Sequence, residues 1–205
     1  MMKRFLITVA MLAIASGATA GGDPVAGKKK AALCIGCHGV DGNSSNPDWP
    51  SLAGQGEAYL VKQINDFKAK DGKPAARTDG TMNAMVGNLS DADIANVSAF
   101  FASNKAKIGS ADKASVELGE KLYRSGIADR GIASCASCHG PTGAGNPAAK
   151  FPALSGQHAK YTMKALKDFS LGTRSNDPGS MMRDVAGKLK DSEMKAVADY
   201  VSGLH

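Results

Sequence analysis

Two stretches decide how this chain is read: LCIGCHGVDG, residues 33–42, and SCASCHGPTG, residues 134–143. The chain holds four cysteines and four histidines, and all of the former with two of the latter fall in these two copies of one pattern, C-x-x-C-H. The flanking sequence repeats as well. When HGVDGNSSNPDWPSLAGQGEAYLVKQINDF (38–67) is set beside HGPTGAGNPAAKFPALSGQHAKYTMKALKDF (139–169), Gly42 falls on Gly143, Pro50 on Pro152, Leu52 on Leu154 and Gly54-Gln55 on Gly156-Gln157. Tyr59 then meets Tyr161, and Asp66-Phe67 meets Asp168-Phe169. A period of about 101 residues is far longer than a solenoid repeat, so each copy is expected to be a complete domain.

The chain opens MMKRFLITVAMLAIASGATA: a basic start (Lys3, Arg4), an apolar run over 5–14 and a small-residue site at Ala18-Thr19-Ala20. This is the form of a secretory signal peptide, residues 1–20, cleaved after Ala20. The apolar run is about half of the roughly 20 residues a bilayer span needs. The expected organisation is a signal peptide (1–20), a first domain (21–107) and a second (108–205), joined by the polar segment SNKAKIGSADK at 103–113. Each unit is near the size at which side chains alone barely build a core. Aromatics make up only 5% of the chain, with one tryptophan, Trp49, so something besides large side chains is expected to fill each domain. From Gly21 to Ser110 ten Lys and Arg face nine Asp and Glu; from Ala111 to His205 thirteen face ten, giving +1 and +3. No basic cluster interleaved with aromatics appears, and Lys28-Lys29-Lys30 reads as a solvated helix face, which excludes nucleic acid as the expected partner.

The hydrophobic periodicity predicts an all-α fold of three to four helices per copy. A first helix runs from Pro24, placed as a first-turn proline, to the cysteines, and its partner from Ala114 to Arg124. The second copy then inserts SGIADRGIA before its motif. A middle helix carries Leu60, Ile64 and Phe67, echoed by Leu166 and Phe169. A last helix begins at Ser90, with Asp93 completing a capping box, and buries Ile94, Val97, Phe100 and Phe101. Its partner buries Met194, Val197, Tyr200 and Val201 and ends at Gly203, a residue suited to a helix C-terminus. No strand pattern is present.

C-x-x-C-H is the attachment pattern of a c-type haem. Residues three apart share one face of a helical turn, so both thiols reach one porphyrin while the following imidazole comes beneath the iron. A thioredoxin-like pair belongs in a βαβ setting that is absent. A zinc site needs two pairs converging on one ion, whereas these lie 101 residues apart. A disulfide leaves His38 and His139 unexplained. The expected cofactors are therefore two covalent haem c groups, one on Cys34 and Cys37 with His38 as iron ligand, the other on Cys135 and Cys138 with His139.

The sixth ligand separates a carrier from a catalyst, because a closed coordination sphere keeps peroxide and oxygen off the iron. With Leu89 aligned on Leu189, Met82 of DGTMNAMVGNLSD falls on Met182 of GSMMRDVAGKLKD, each seven residues before the leucine. Met85 and Met181 do not repeat. Met82 and Met182 are thus the expected ligands, and His/Met coordination raises the reduction potential. Met85, Met163 and Met194 are read as core fillers, and His158 and His205, which have no counterparts, as surface residues. The carbonyls of Pro50 and Pro152 are the candidate acceptors for the second ring nitrogen of His38 and His139. Arg77 and Arg174, just before the methionines, are candidate partners for haem propionates.

The motifs CHGVDGNS, LAGQGEAYL, GEKLYR, CHGPTGAGN and FPALSGQHAKYT, with the chain end GLH, resemble the dihaem cytochromes c4 over essentially the whole mature chain. That resemblance implies two cytochrome c-like domains about a pseudo-twofold axis with propionates facing across the interface. It further implies a periplasmic carrier taking electrons from a quinol-oxidising complex toward a terminal haem-copper oxidase, with loose attachment to the membrane face. A cytochrome subunit of a periplasmic dehydrogenase shares the pattern and stands as the alternative. A dihaem peroxidase is disfavoured, since both methionines are present.

Overall fold

The computed structural model describes residues 21–205; the expected signal peptide and its cleavage after Ala20 lie outside the described residues. The first copy contributes α1 (Pro24–Lys30), α2 (Ile35–His38), α3 (Glu57–Asp66), α4 (Gly80–Val86) and α5 (Asp91–Ser103). The second contributes α6 (Lys113–Ser125), α7 (Ala136–His139), α8 (Ala159–Ser170), α9 (Met181–Ala186) and α10 (Asp191–Ser202). The described residues form no strand, only isolated bridges such as Asn146 with Phe151.

Each copy therefore has five helices, where three to four were expected. The additions are the one-turn helices that carry the cysteine motifs (α2, α7) and the short helices that carry the methionines (α4, α9), all too brief to display a hydrophobic period. Asp23 starts α1 by accepting the Val25 N–H at 2.8 Å, with Pro24 in the first turn. The expected unbroken helix from Pro24 to the cysteines instead tightens after Lys30 into a 3-10 turn over Ala31–Leu33, and the Cys34 N–H closes on the Ala31 carbonyl at 2.8 Å. α5 starts with the expected capping box, Ser90 with Asp93.

In both copies the first long helix crosses the last, α1 on α5 and α6 on α10, and the middle helix (α3 or α8) closes over the last. A glycine sits at each crossing. A Cβ at Gly27 would lie 1.9 Å from the Asn96 carbonyl oxygen, and one at Gly119 2.5 Å from that of Ala196, so no side chain fits between the backbones. Ala31, Leu60, Val97, Phe100 and Phe101 form the first core. The second is larger, with Leu122, Tyr123, Leu166, Phe169, Ala186, Met194, Val197, Tyr200, Val201 and Leu204. The inserted loop supports it: Ile132 is buried, Ile127 packs on the cluster, and Arg130 pairs with Glu193 of α10 at 2.6 Å. Gly203 ends α10 as expected, but at φ −106° its smallness serves the returning linker, since a Cβ there would meet the Ala111 nitrogen at 2.6 Å.

The linker is tied at both ends. Asn43 of the first copy donates to the Lys105 carbonyl and accepts from the Lys107 N–H, at 3.0 and 2.8 Å; two residues later the Gly109 N–H donates to Ser202 of the second copy at 2.9 Å.

Candidate haem sites and the interface between them

Each motif turn places its histidine in the same setting. His38 and His139 are both 7% exposed. The loop that follows doubles back: the Leu52 and Ala53 N–H groups share the Gly42 carbonyl, and those of Leu154 and Ser155 share the Gly143 carbonyl. This brings the Pro50 carbonyl to 2.8 Å from His38 Nδ1 and the Pro152 carbonyl to 2.9 Å from His139 Nδ1. A carbonyl only accepts, so Nδ1 carries the proton and Nε2 keeps its lone pair for a metal. Burial lowers the basicity of both rings, with partial relief from the proline carbonyls, which favours the neutral form a ligand needs.

All four thiols are free. Burial pushes the Cys34 thiol up, with Cys37 adding to the effect, and pushes Cys135 up to about 11. Thiols raised in this way are poor spontaneous nucleophiles, which argues against Cys34 and Cys135 as attacking groups in thiol exchange. Among the described residues no three His, Cys, Asp or Glu side chains converge as a zinc site requires. Cys34 and Cys135 pack against their respective cores, while Cys138 is exposed.

Met82 lies in the first turn of α4 and Met182 in that of α9, both half-buried. Met181 is 42% exposed. Met194 is buried and Met163 packs on the second core, as expected of fillers. Met85 is a correction: at 38% exposed it fills no core, because α4 turns that position outward.

The arginines and His158 change the picture most. His158, expected on the surface, lies between the copies with Nε2 2.9 Å from the Ser44 carbonyl; His205 is exposed, as expected. Arg77 stacks over Phe67 at 4.5 Å and Arg174 over Phe169 at 4.4 Å, one in each copy. Each then reaches into the other copy, Arg77 Nη2 to the Tyr161 hydroxyl and Arg174 Nη2 to the Tyr59 hydroxyl, both at 3.1 Å. The glutamines reciprocate in the same way. The Gln55 amide spans the backbone N–H and carbonyl of Ala153 at 2.8 and 3.0 Å, and the Gln157 amide spans those of Ser51 at 2.9 Å each. A pseudo-twofold relation thus runs through the interface. Its signal in the sequence was the repetition of Gln55 with Gln157 and Tyr59 with Tyr161, polar residues whose recurrence the helical pattern does not require.

Arg174 is 8% exposed, yet no carboxylate pairs with either Arg77 or Arg174 among the described residues. A buried cation without an anion is costly. With paired thiols, an imidazole whose free nitrogen is Nε2 and a half-buried thioether in each copy, these cations fit a bound porphyrin with acidic side arms.

The Cytochrome c family pattern matches twice, over residues 24–105 and 116–205. Cytochrome c4 of Azotobacter vinelandii is 47% identical over 210 residues, covering 100% of both chains. The crystal structure of reduced recombinant cytochrome c4 from Pseudomonas stutzeri, 46% identical, superposes with a TM-score of 0.85 and covers 90% of this chain and 100% of its own. The thiosulfate dehydrogenase electron acceptor of Stutzerimonas stutzeri is 35% identical over 179 residues, covering 85% of this chain and 80% of that protein.

Proposed function

This chain belongs to the cytochrome c4 family of the cytochromes c, with two haem domains in tandem, and from that premise we propose that it carries electrons in the periplasm toward a terminal haem-copper oxidase. It is a dihaem electron-transfer cytochrome rather than an enzyme, its two domains each bind a covalent haem c, and its partners are redox proteins. In our reading Cys34 and Cys37 hold one haem between His38 and Met82, and Cys135 and Cys138 hold the other between His139 and Met182. The observation that carries this is the duplicated placement: a buried histidine with Nδ1 on a proline carbonyl and a half-buried methionine in equal register, twice. The haem iron supplies a one-electron couple. The chain fixes each imidazole through Nδ1, excludes water around it, and presents a soft sulfur that favours the ferrous form.

The domain division at 107/108 is supported by the linker's change of partner from Asn43 to Ser202. Export with cleavage after Ala20, a quinol-oxidising complex as donor and loose membrane association complete the proposal. No described helix is long and apolar enough to cross a membrane. The larger positive balance of the second copy and its buried Arg174 support the haem of Cys135 and Cys138 as the higher in potential.

The alternative, a cytochrome that accepts electrons from a periplasmic dehydrogenase, is favoured by the likeness to the thiosulfate dehydrogenase electron acceptor. Rapid mixing separates the two. The reduced holoprotein should be oxidised by a haem-copper oxidase within its turnover time, while the oxidised form should be reduced far more slowly by thiosulfate with its dehydrogenase. The reverse order of rates favours the alternative.

A further inference from the structure

One departure from the pseudo-twofold symmetry of the interface sits between the two arginines. Gln63 of α3, 7% exposed, occupies the position that Ala165 holds in α8. Its single amide oxygen accepts from Arg77 Nη1 at 2.6 Å, Arg174 Nη2 at 3.0 Å and Asn176 Nδ2 at 3.1 Å. One donor is from its own copy and two are from the other. Asn176 is anchored in turn: its amide donates to Asp66 at 2.6 Å and accepts from Arg174 Nε at 3.0 Å.

We propose that Gln63 is the shared positioning residue of the two redox sites, holding the two interface cations together so that one side chain sets the electrostatic field at both haems. Two guanidinium groups repel, and the usual acceptor for such a pair is a carboxylate, which would cancel part of their charge. An amide oxygen holds them by hydrogen bonds and brings no charge of its own. Arg77 stacks on a phenylalanine of the first copy and Arg174 on its counterpart in the second, each also reaches a tyrosine of the other copy, and Gln63 is the acceptor the two share. Positive charge near a haem favours its reduced state, and a neutral acceptor adds no negative charge to offset that effect at either site. Ala165 leaves the second copy without such an acceptor, which makes the link a single device belonging to the pair.

The inference rests on the dihaem reading, and the wild-type holoprotein separates the two: fewer than two covalent haems or two one-electron steps in its redox titration defeats the reading itself. Given two steps, Gln63→Glu should lower both potentials, since its carboxylate faces both guanidinium groups, without changing the ferric methionine-to-iron absorption. A shift of one step alone, or of neither, overturns the proposal. If Gln63→Glu does not assemble, Gln63→Met removes the acceptor at similar volume and without charge. Both steps should then move as the two arginines lose their common anchor, and two unmoved steps overturn it.

Discussion

The two copies hold equivalent sites on unequal supports. A histidine on its proline carbonyl and a half-buried methionine in the first turn of a short helix recur in both copies, yet what surrounds them differs. The first core is small and the second is enlarged by Tyr123, Tyr200, Met194 and the inserted loop. The methionine helices are also started by different means. In the first copy Asp79 accepts the Thr81 and Met82 N–H groups at 3.1 and 2.9 Å, while Asn83 reaches back to the Phe67 and Arg77 carbonyls. In the second, Asp177, its side chain 4% exposed, grips the Arg183 N–H and Nε at 3.0 and 2.8 Å, and Ser180 enters the helix at φ +58°. Duplication preserved the groups proposed to meet the cofactor, and the scaffold around them diverged.

Removing each haem attachment in turn should have the largest effect. The Cys34→Ala/Cys37→Ala variant should lose most of the helical signal of its own copy, because its contiguous buried cluster is the smaller of the two and makes a poor core alone. The Cys135→Ala/Cys138→Ala variant should keep part of the second copy's helicity in far-ultraviolet circular dichroism, because its protein core is larger. Equal losses would mean that core size does not govern the outcome.

Ligand variants should act on both copies alike. Met82→Ala and Met182→Ala should each abolish the methionine-to-iron absorption of one ferric haem and lower one potential. Met85→Ala and Met181→Ala, at exposed positions, should leave absorption and potentials intact.

The helix starts should respond differently. Asp177→Asn should cost about 1–3 kcal/mol in denaturant unfolding, the usual range for breaking a buried charged hydrogen bond. Burial pushes the Asp177 carboxyl up, but the Arg183 N–H and guanidinium outweigh it and hold it below the ordinary range. Its stabilisation is therefore full above the ordinary aspartate value of about 4 and fades as pH falls below it. The pH dependence of unfolding should weaken in that window in Asp177→Asn. The smallest and most symmetric effect belongs to the glutamine clasps. Gln55→Ala and Gln157→Ala should each cost about 1–2 kcal/mol, the sum of two ordinary hydrogen bonds, and by similar amounts. A twofold or greater disparity would show the interface to be less symmetric than its geometry.

How far the sequence reveals this molecule follows from the range of each interaction. The motif turns, the α5 capping box and the buried faces of α5 and α10 are local patterns and were legible. So were the proline carbonyls opposite His38 and His139, twelve and thirteen residues away. The break at Ala31 and the helices around Met82 and Met182 were not, because a turn or two of helix carries no periodicity. The outward face of Met85 followed from the missing α4. Least legible was the interface, where Gln55 meets residue 153 and Arg77 meets Tyr161, 98 and 84 positions apart. Pairing over that distance leaves no mark in one copy, and only comparison of the two copies hints at it.

In the proposed arrangement two like sites, each closed by histidine and methionine, work at two separable potentials. A redox titration of the holoprotein followed by optical and magnetic spectra tests it most directly. The expected result is two covalent haems, histidine and methionine axial ligation in both, and two one-electron steps, the upper belonging to the haem of Cys135 and Cys138, so that Met182→His lowers the upper step. A single two-electron wave, a haem lacking the methionine signature, or a lowering of only the lower step by Met182→His would contradict it.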